Sequence, residues 1–464
     1  MRILPAAVLL VLASGCSRDR AAPAAARDGV PVAAATATAA ASAVTAAAPP
    51  LPAEALAAAP TAASDRRSAK PGAPAKGEAF EAMAAAPAPF AAGAASVKAG
   101  EWDDNANFRD FRSFLASAPG NLQRDDLSGR HFLVVRDRSG RPMPGCKIAI
   151  RDEQQRTTSL VTTASGRAIL FPRAEGLAGS KLVATTSCSG GSAERSFALD
   201  GERDGVVDLR LPGERGDLGM RTVDLAFVLD TTGSMSQEIE AVKATIQKVA
   251  GALAKEQVGV RVGLVEYKDR SDNLVTKTYP FATDLTAFAR QVSGLGAGGG
   301  GDTPEDMNAG LHAAMTELAW SDRSIARLAF VIADAPPHLD YQDGPRYGDD
   351  TKRAAHRGIQ LFTVAASGMD LTGQAVFRQM AQYTGGTELF VLRGGTSPSA
   401  QGGGDPVSSC GGTHTNYASG NLDDLVVQKV RRELRALEAD PMRIAGLNED
   451  ENAKPCDQRV VFKD

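Results

Sequence analysis

Two kinds of hydrophobic patterning divide this chain. Between residues 128 and 212 short apolar stretches alternate with polar positions, the period-two signature of half-buried strands. Strands are predicted over residues 131–135, 147–151, 159–163, 168–171, 181–186, 196–199 and 206–211, with turn signals at Ser139-Gly140 and Pro142-Met143-Pro144-Gly145. Several short strands at this spacing predict a small all-β sandwich. From about residue 220 the pattern changes to mostly apolar runs over 225–229, 258–267, 325–333, 358–365 and 388–392. Such runs suit strands of a parallel sheet buried on both faces. Helical segments alternate with them. The first, over 236–255, carries Met235, Ile239, Val242, Ile246, Val249 and Leu253 on one face. Asp284 caps a second, Pro304 opens a third at its first position, and others follow over 351–357, 371–383 and 422–438, the last capped by Asn421. Residues 274–281 are expected to form an antiparallel edge strand. The fold class is therefore α/β, a Rossmann-like doubly wound, mostly parallel sheet, with a smaller N-terminal all-β sandwich.

The beginning of the chain reads differently. Arg2, an apolar core over 6–12 and Ala13-Ser14-Gly15 before Cys16 form a secretory signal too short to span a membrane. Residues 17–100 are mostly Ala and Pro, with few large side chains to bury, and predict a disordered tether. As a flexible coil of about 80 residues it would reach on the order of 50 Å. Residues 101–127 interrupt this composition: Trp102, Phe108, Phe111 and Phe114 recur partly at helical spacing and predict a short aromatic helix packed on the next domain, or a partner-binding peptide. The expected segments are thus 1–16 signal, 17–100 tether, 101–127 aromatic helix, 128–213 sandwich, 220–440 α/β domain and 441–464 tail, with a polar linker over 214–219.

Candidate chemistry concentrates where the apolar run 225–229 ends in Asp230-Thr231-Thr232-Gly233-Ser234. Ligand sites of open α/β sheets lie at the carboxyl ends of the strands. The oxygens of Asp230, Thr232 and Ser234, at alternate positions, suit a hard divalent cation. The glycine-rich stretch 296–301 is followed by Asp302-Thr303-Pro304, not by the Gly-Lys-Ser/Thr that a phosphate loop needs, so nucleotide binding is not expected. A net charge of −4 gives no reason to expect a nucleic-acid partner.

Asp230-x-Thr232-x-Ser234 resembles the D-x-[ST]-x-S motif of the von Willebrand factor A domain, a likeness that extends over about residues 220–440. The resemblance implies a metal-ion-dependent adhesion site. Asp230 would be a direct carboxylate ligand, Thr232 and Ser234 hydroxyl ligands, Thr303 a conditional hydroxyl, and Asp334, at the end of the run 325–333, a carboxylate acting through water. The implied ion is Mg²⁺, with Mn²⁺ or Ca²⁺ as alternatives. The implied partner is a protein whose acidic side chain fills the open coordination position. The segment 128–213 resembles carboxypeptidase regulatory-like sandwiches. Small residues before Cys16 resemble a bacterial lipobox. That implies a lipid-anchored protein of the bacterial cell envelope, with Ser17 favouring the outer membrane, and membrane attachment through the anchor alone.

With Cys16 lipidated, four cysteines remain. Proximity favours Cys146–Cys188 and Cys410–Cys456 bridges in an oxidising compartment, against four free thiols. The loop 336–350 beside the proposed metal holds His338, Tyr341, Arg346 and Tyr347, candidates for partner contact. No G-x-S-x-G or H-E-x-x-H motif is present, and an enzyme is not expected. Two other readings compete with adhesion: a structural envelope lipoprotein whose A-type domain has lost its metal role, and a hydrolase with His338 as base beside a metal-bound water.

Overall fold

A computed structural model describes residues 98–199, 203–254, 258–301, 303–366, 369–391 and 419–448. The expected signal, Cys16, the tether up to residue 97, Cys410, Cys456 and most of the tail lie outside the described residues. The chain opens with β1 (Lys98–Trp102) and α1 (Phe108–Ser117). An all-β unit follows: β2 (His131–Arg136), β3 (Lys147–Arg151), β4 (Thr157–Val161), β5 (Arg167–Leu170), β6 (Lys181–Cys188), β7 (Gly191–Ala198) and β8 (Gly205–Arg210). Then come β9 (Thr222–Asp230), α2 (Ser236–Ala254), β10 (Gly259–Tyr267), β11 (Thr276–Ala282), α3 (Leu285–Val292), α4 (Met307–Thr316) and β12 (Ala326–Ala333). The last elements are α5 (Tyr347–His356), β13 (Ile359–Ala365), α6 (Leu371–Thr384), β14 (Glu388–Val391), β15 (Ser419–Asn421) and α7 (Leu422–Ala436).

Eight strands form the main sheet in the order β11-β10-β9-β12-β13-β14-β1-β15. From β10 to β14 neighbouring strands are parallel, and β11 and β1 run antiparallel to the strands beside them. Consecutive parallel strands β9 and β10 are neighbours, but β12 lies on the opposite side of β9, so the strand order reverses at β9. Helices cover both faces, which explains why the parallel strands lack alternation. Leu225, Phe227 and Leu229 of β9 pack with α2, α3 and α7, whereas Ala226 and Val228 pack with α4, α5 and α6.

The all-β unit has a three-stranded sheet (β5-β2-β8) and a four-stranded sheet (β4-β3-β6-β7). Leu133, Leu170 and Leu209 of the first share one core with Ile148, Leu160 and Leu182 of the second. Cys146 and Cys188 are disulfide-bonded, with 5.5 Å between their Cα atoms and 42 residues of separation. Reducing this bridge should cost about 2–4 kcal/mol. Denaturant unfolding with and without reductant measures the loss.

Several expectations are corrected. Residues 98–102 belong neither to the tether nor to a helix: they form β1, paired with β14 from Ala99↔Val391 to Trp102↔Glu388. The helix carrying Phe108, Phe111 and Leu115 into the core starts only at Phe108. A sheet edge awaiting a partner recruits this extended segment, which local periodicity does not register. Nor is β14 the last strand, since β15 pairs with β1. The 214–219 linker is pinned: buried Arg215 donates to the carbonyls of Pro142 and Leu437 and pairs with Glu438 at 2.9 Å. The all-β and α/β units also share cores. Phe171, just after β5, packs against Tyr383 of α6 with ring centroids 4.9 Å apart and the rings tilted by 36°. Finally, Pro304 does not open α4. Glu305 forms a parallel bridge with Pro337, and Asp306 takes the N-cap by accepting from the Ala309 amide at 3.0 Å. That bridge holds residues 304–305 extended and delays the helix.

Candidate metal centre

The last residue of the central strand carries the chemistry. From Val223 to Asp230 every residue of β9 is buried, and Asp230 has no exposed surface. Its Oδ1 accepts from the Thr232 amide (2.9 Å) and the Thr232 hydroxyl (2.7 Å), which folds the 230–232 segment into a tight turn. Its Oδ2 is buried and has no hydrogen-bond partner among the described residues. Burial pushes the carboxyl up and the two Thr232 bonds pull it down; Asp334 raises it again, and Lys268 offsets part of that. The result is about 7. A buried, half-satisfied carboxylate is unfavourable. At neutral pH it demands either a proton or a cation.

The glycine stretch docks directly on this turn. The Gly233 amide donates to the Gly299 carbonyl and the Gly298 amide to the Thr231 carbonyl, each at 3.1 Å, while Lys268 Nζ donates to the Gly298 carbonyl. Gly300, at φ +66°, lies so close that a Cβ there would sit 2.9 Å from Thr232 Cβ and 3.0 Å from a Glu305 carboxylate oxygen. Only glycine allows this approach. Thr303, three residues beyond Gly300, is exposed. Ser234 is exposed in the single 3₁₀ turn Gly233–Met235 that precedes α2. Asp334 follows β12, whose pairing Ile332↔Leu229 sets its end level with the end of β9. Asp230 and Asp334 therefore flank the place where strand order reverses, the usual ligand crevice of such sheets. Asp334 is half-buried and acts electrostatically on Asp230.

Two carboxylates and three hydroxyls make a hard oxygen donor set, suited to Mg²⁺-like ions rather than to metals that favour His or Cys. No cluster of three or more His, Cys, Asp or Glu side chains able to hold a metal occurs among the described residues. The unpartnered Asp230 oxygen beside a second carboxylate fits a divalent cation, which would relieve both the desolvation and the repulsion. Three neighbours escaped the sequence reading. Glu238, in the first turn of α2, is buried and its carboxyl is pushed up by burial and by Asp334. Tyr267 ends β10 alongside Asp230, and Lys268 follows it, donating to the Gly298 carbonyl. Their only signal was position at a strand's carboxyl end.

The neighbouring loop is a knot rather than an open surface. His338 stacks on Tyr341 with centroids 3.8 Å apart, its Nδ1 lies 2.7 Å from Asp340 and its Nε2 3.2 Å from Asp269. The Tyr341 hydroxyl donates to Asp269 at 2.8 Å, and Arg270 lies over the Tyr341 ring while pairing with Asp306 and Asp343. Arg346 is exposed. Tyr347 is no candidate for partner contact: it starts α5, is 2 % exposed, and its hydroxyl donates to the Gln123 carbonyl.

Residues 224–392 match the family model described as von Willebrand factor A domain. Among curated proteins, the alpha-protein kinase vwkA of Dictyostelium discoideum is 37% identical over 120 residues, 25% of this chain and 19% of that one. The putative ariadne-like RING finger protein R811 of Acanthamoeba polyphaga mimivirus is 32% identical over 116 residues, 25% of this chain and 11% of that one. This chain therefore spans less than a fifth of either relative. Among solved structures, proximal thread matrix protein 1 from the mussel byssus, with a zinc-occupied MIDAS motif, is similar at 12% identity and a TM-score of 0.29, over 36% of this chain and 40% of that one. The helix-covered parallel sheet, its reversal of strand order at β9 and the family match lead to one conclusion: residues 224–392 form a von Willebrand factor A domain.

Proposed function

We propose that this chain is a lipid-anchored bacterial envelope protein that binds a protein partner through a divalent-metal adhesion site. The observation that carries the binding role is the Asp230 carboxylate, buried, lacking a partner on Oδ2 and set beside Asp334 at the switch point of the sheet. Asp230, Thr232, Ser234, Thr303 and Asp334 would hold the ion, with Mg²⁺ the proposed species. When bound, the ion supplies the positive charge that lets an acidic side chain of the partner approach two carboxylates. Thr303 and Ser234 are both exposed, as ligands open to such a partner would need to be. Lipidation at Cys16 would hold the chain at the outer membrane, and the all-β unit, with its proposed kinship to carboxypeptidase regulatory-like sandwiches, would serve as a rigid platform.

The proposed role is binding and not catalysis. Both ring nitrogens of His338 face carboxylates, which argues against its use as a general base. The test uses immobilised full-length protein exposed to solubilised envelope proteins. The reading predicts a partner retained in Mg²⁺, released by EDTA, and not retained by Asp334→Ala. Retention that ignores both EDTA and the substitution would overturn it. Cys16→Ser should move the protein from the membrane fraction to the soluble one; unchanged fractionation would remove the anchor from the proposal.

A further inference from the structure

On the strand beside Asp230 lies a second buried polar atom without a hydrogen-bond partner among the described residues. Tyr267 has no exposed surface, and its hydroxyl finds no hydrogen-bond partner among the described residues. Tyr267 and Asp230 are register partners on adjacent parallel strands, so both side chains project from the same face of the sheet. The ring passes over α4 at Gly310, where a Cβ would lie 2.5 Å from the ring. Gly310 thus admits a ring that no larger residue would tolerate. Besides burial, the groups that act on this hydroxyl are all carboxylates, Asp230 first, then Glu305, Asp334 and Asp306. Among the described residues no cationic side chain and no backbone group takes it up.

An apolar residue of the same shape would be the favourable choice here if packing were the only requirement, because an unpaired buried hydroxyl loses its hydration without gaining a partner. Two such atoms, carried by register partners on two paired strands, point to a shared missing partner. A hydrated divalent ion supplies one, since its water hydrogens need acceptors and a phenol oxygen accepts as well as donates. We propose that Tyr267 is a positioning residue of the metal centre, its hydroxyl completing the hydrogen bonding of the ion's hydration shell on the protein side. This rests on the metal reading above.

The experiment compares the full chain with Tyr267→Phe, using Tyr279→Phe as control. Tyr279 is also buried, but its hydroxyl already donates to Glu266 at 2.8 Å and lies on the edge strand β11. Mg²⁺ affinity is measured by calorimetric titration and stability by thermal melting in EDTA. Tyr267→Phe should bind Mg²⁺ on the order of tenfold more weakly and melt, metal-free, at or above the wild-type midpoint. Tyr279→Phe should melt lower and bind Mg²⁺ as the wild type does. Equal affinity in Tyr267→Phe and wild type overturns the role of Tyr267 and leaves the metal site standing. A metal-free midpoint below wild type for Tyr267→Phe overturns the premise that the hydroxyl is unsatisfied. A wild type that binds no Mg²⁺ overturns the metal reading, and this proposal with it.

Discussion

Asp230→Asn, stripped of metal and melted at pH 8, should unfold at a higher temperature than the wild type. The reason is the burial of a carboxylate with one unsatisfied oxygen beside Asp334. Its pKa is about 7 in the folded chain against 3.8 for an ordinary aspartate. Between those values the folded state keeps a proton that the unfolded state has lost. Metal-free stability contributed by this group is therefore full at about pH 4, falls as pH rises to about 7, and stays low above that. The whole effect is on the order of 4 kcal/mol, a shift of several degrees in a chain of this size. Asparagine keeps the acceptor for Thr232 without the charge. Adding Mg²⁺ should reverse the order of the two proteins. At 100 times its dissociation constant the ion would add about 2.7 kcal/mol to the wild type and nothing to Asp230→Asn. The wild-type gain should shrink as pH drops through 7, because proton and cation compete for one carboxylate. A wild type whose metal-free stability rises relative to Asp230→Asn between pH 4 and 7 would refute this account.

Asp104→Ala should be the most damaging single change outside the hydrophobic cores. Asp104 follows β1 and is 2 % exposed; it accepts from Arg378 Nε at 2.9 Å and from the Trp102 indole at 3.0 Å. Burial works against the Arg378 charge, but Asp104 and Glu388 more than offset it, so the guanidinium stays charged within α6. Removing Asp104 strands that charge, a loss of about 3–5 kcal/mol. Equilibrium denaturation should show it as a lower midpoint. The double variant Asp104→Leu/Arg378→Met should recover most of the stability, because two apolar side chains need no partner. If the double variant were no more stable than the single one, the loss would stem from backbone distortion near β1 and not from the uncompensated charge. Since this pair ties β1 to α6, the same experiment asks whether the strand at 98–102 is integral to the A domain.

Much of this architecture is written locally. A strand buried on both faces must be apolar throughout, so β9, β12 and β13 are visible as runs, and α2 as a four-and-three stripe. A carboxylate that ends such a run, followed by small hydroxyl residues and a helix, marks a site because strand ends in doubly wound sheets open into crevices. That pattern marks Asp230, Thr232 and Ser234, whereas Thr303 and Asp334 join them only through the resemblance to the von Willebrand factor A motif. What the sequence could not decide was everything settled by a distant partner. Lys98–Trp102 becomes a strand only because β14 offers an edge, and Tyr347 loses its place on the surface because Gln123, 224 residues earlier, takes its hydroxyl. Pro304 looks like a helix start until the Glu305–Pro337 bridge holds it extended. Above all, Tyr267 reads as one more core aromatic. Its hydroxyl acquires meaning only when strand register sets it beside Asp230, since periodicity records which face a residue occupies and not which polar atoms meet there.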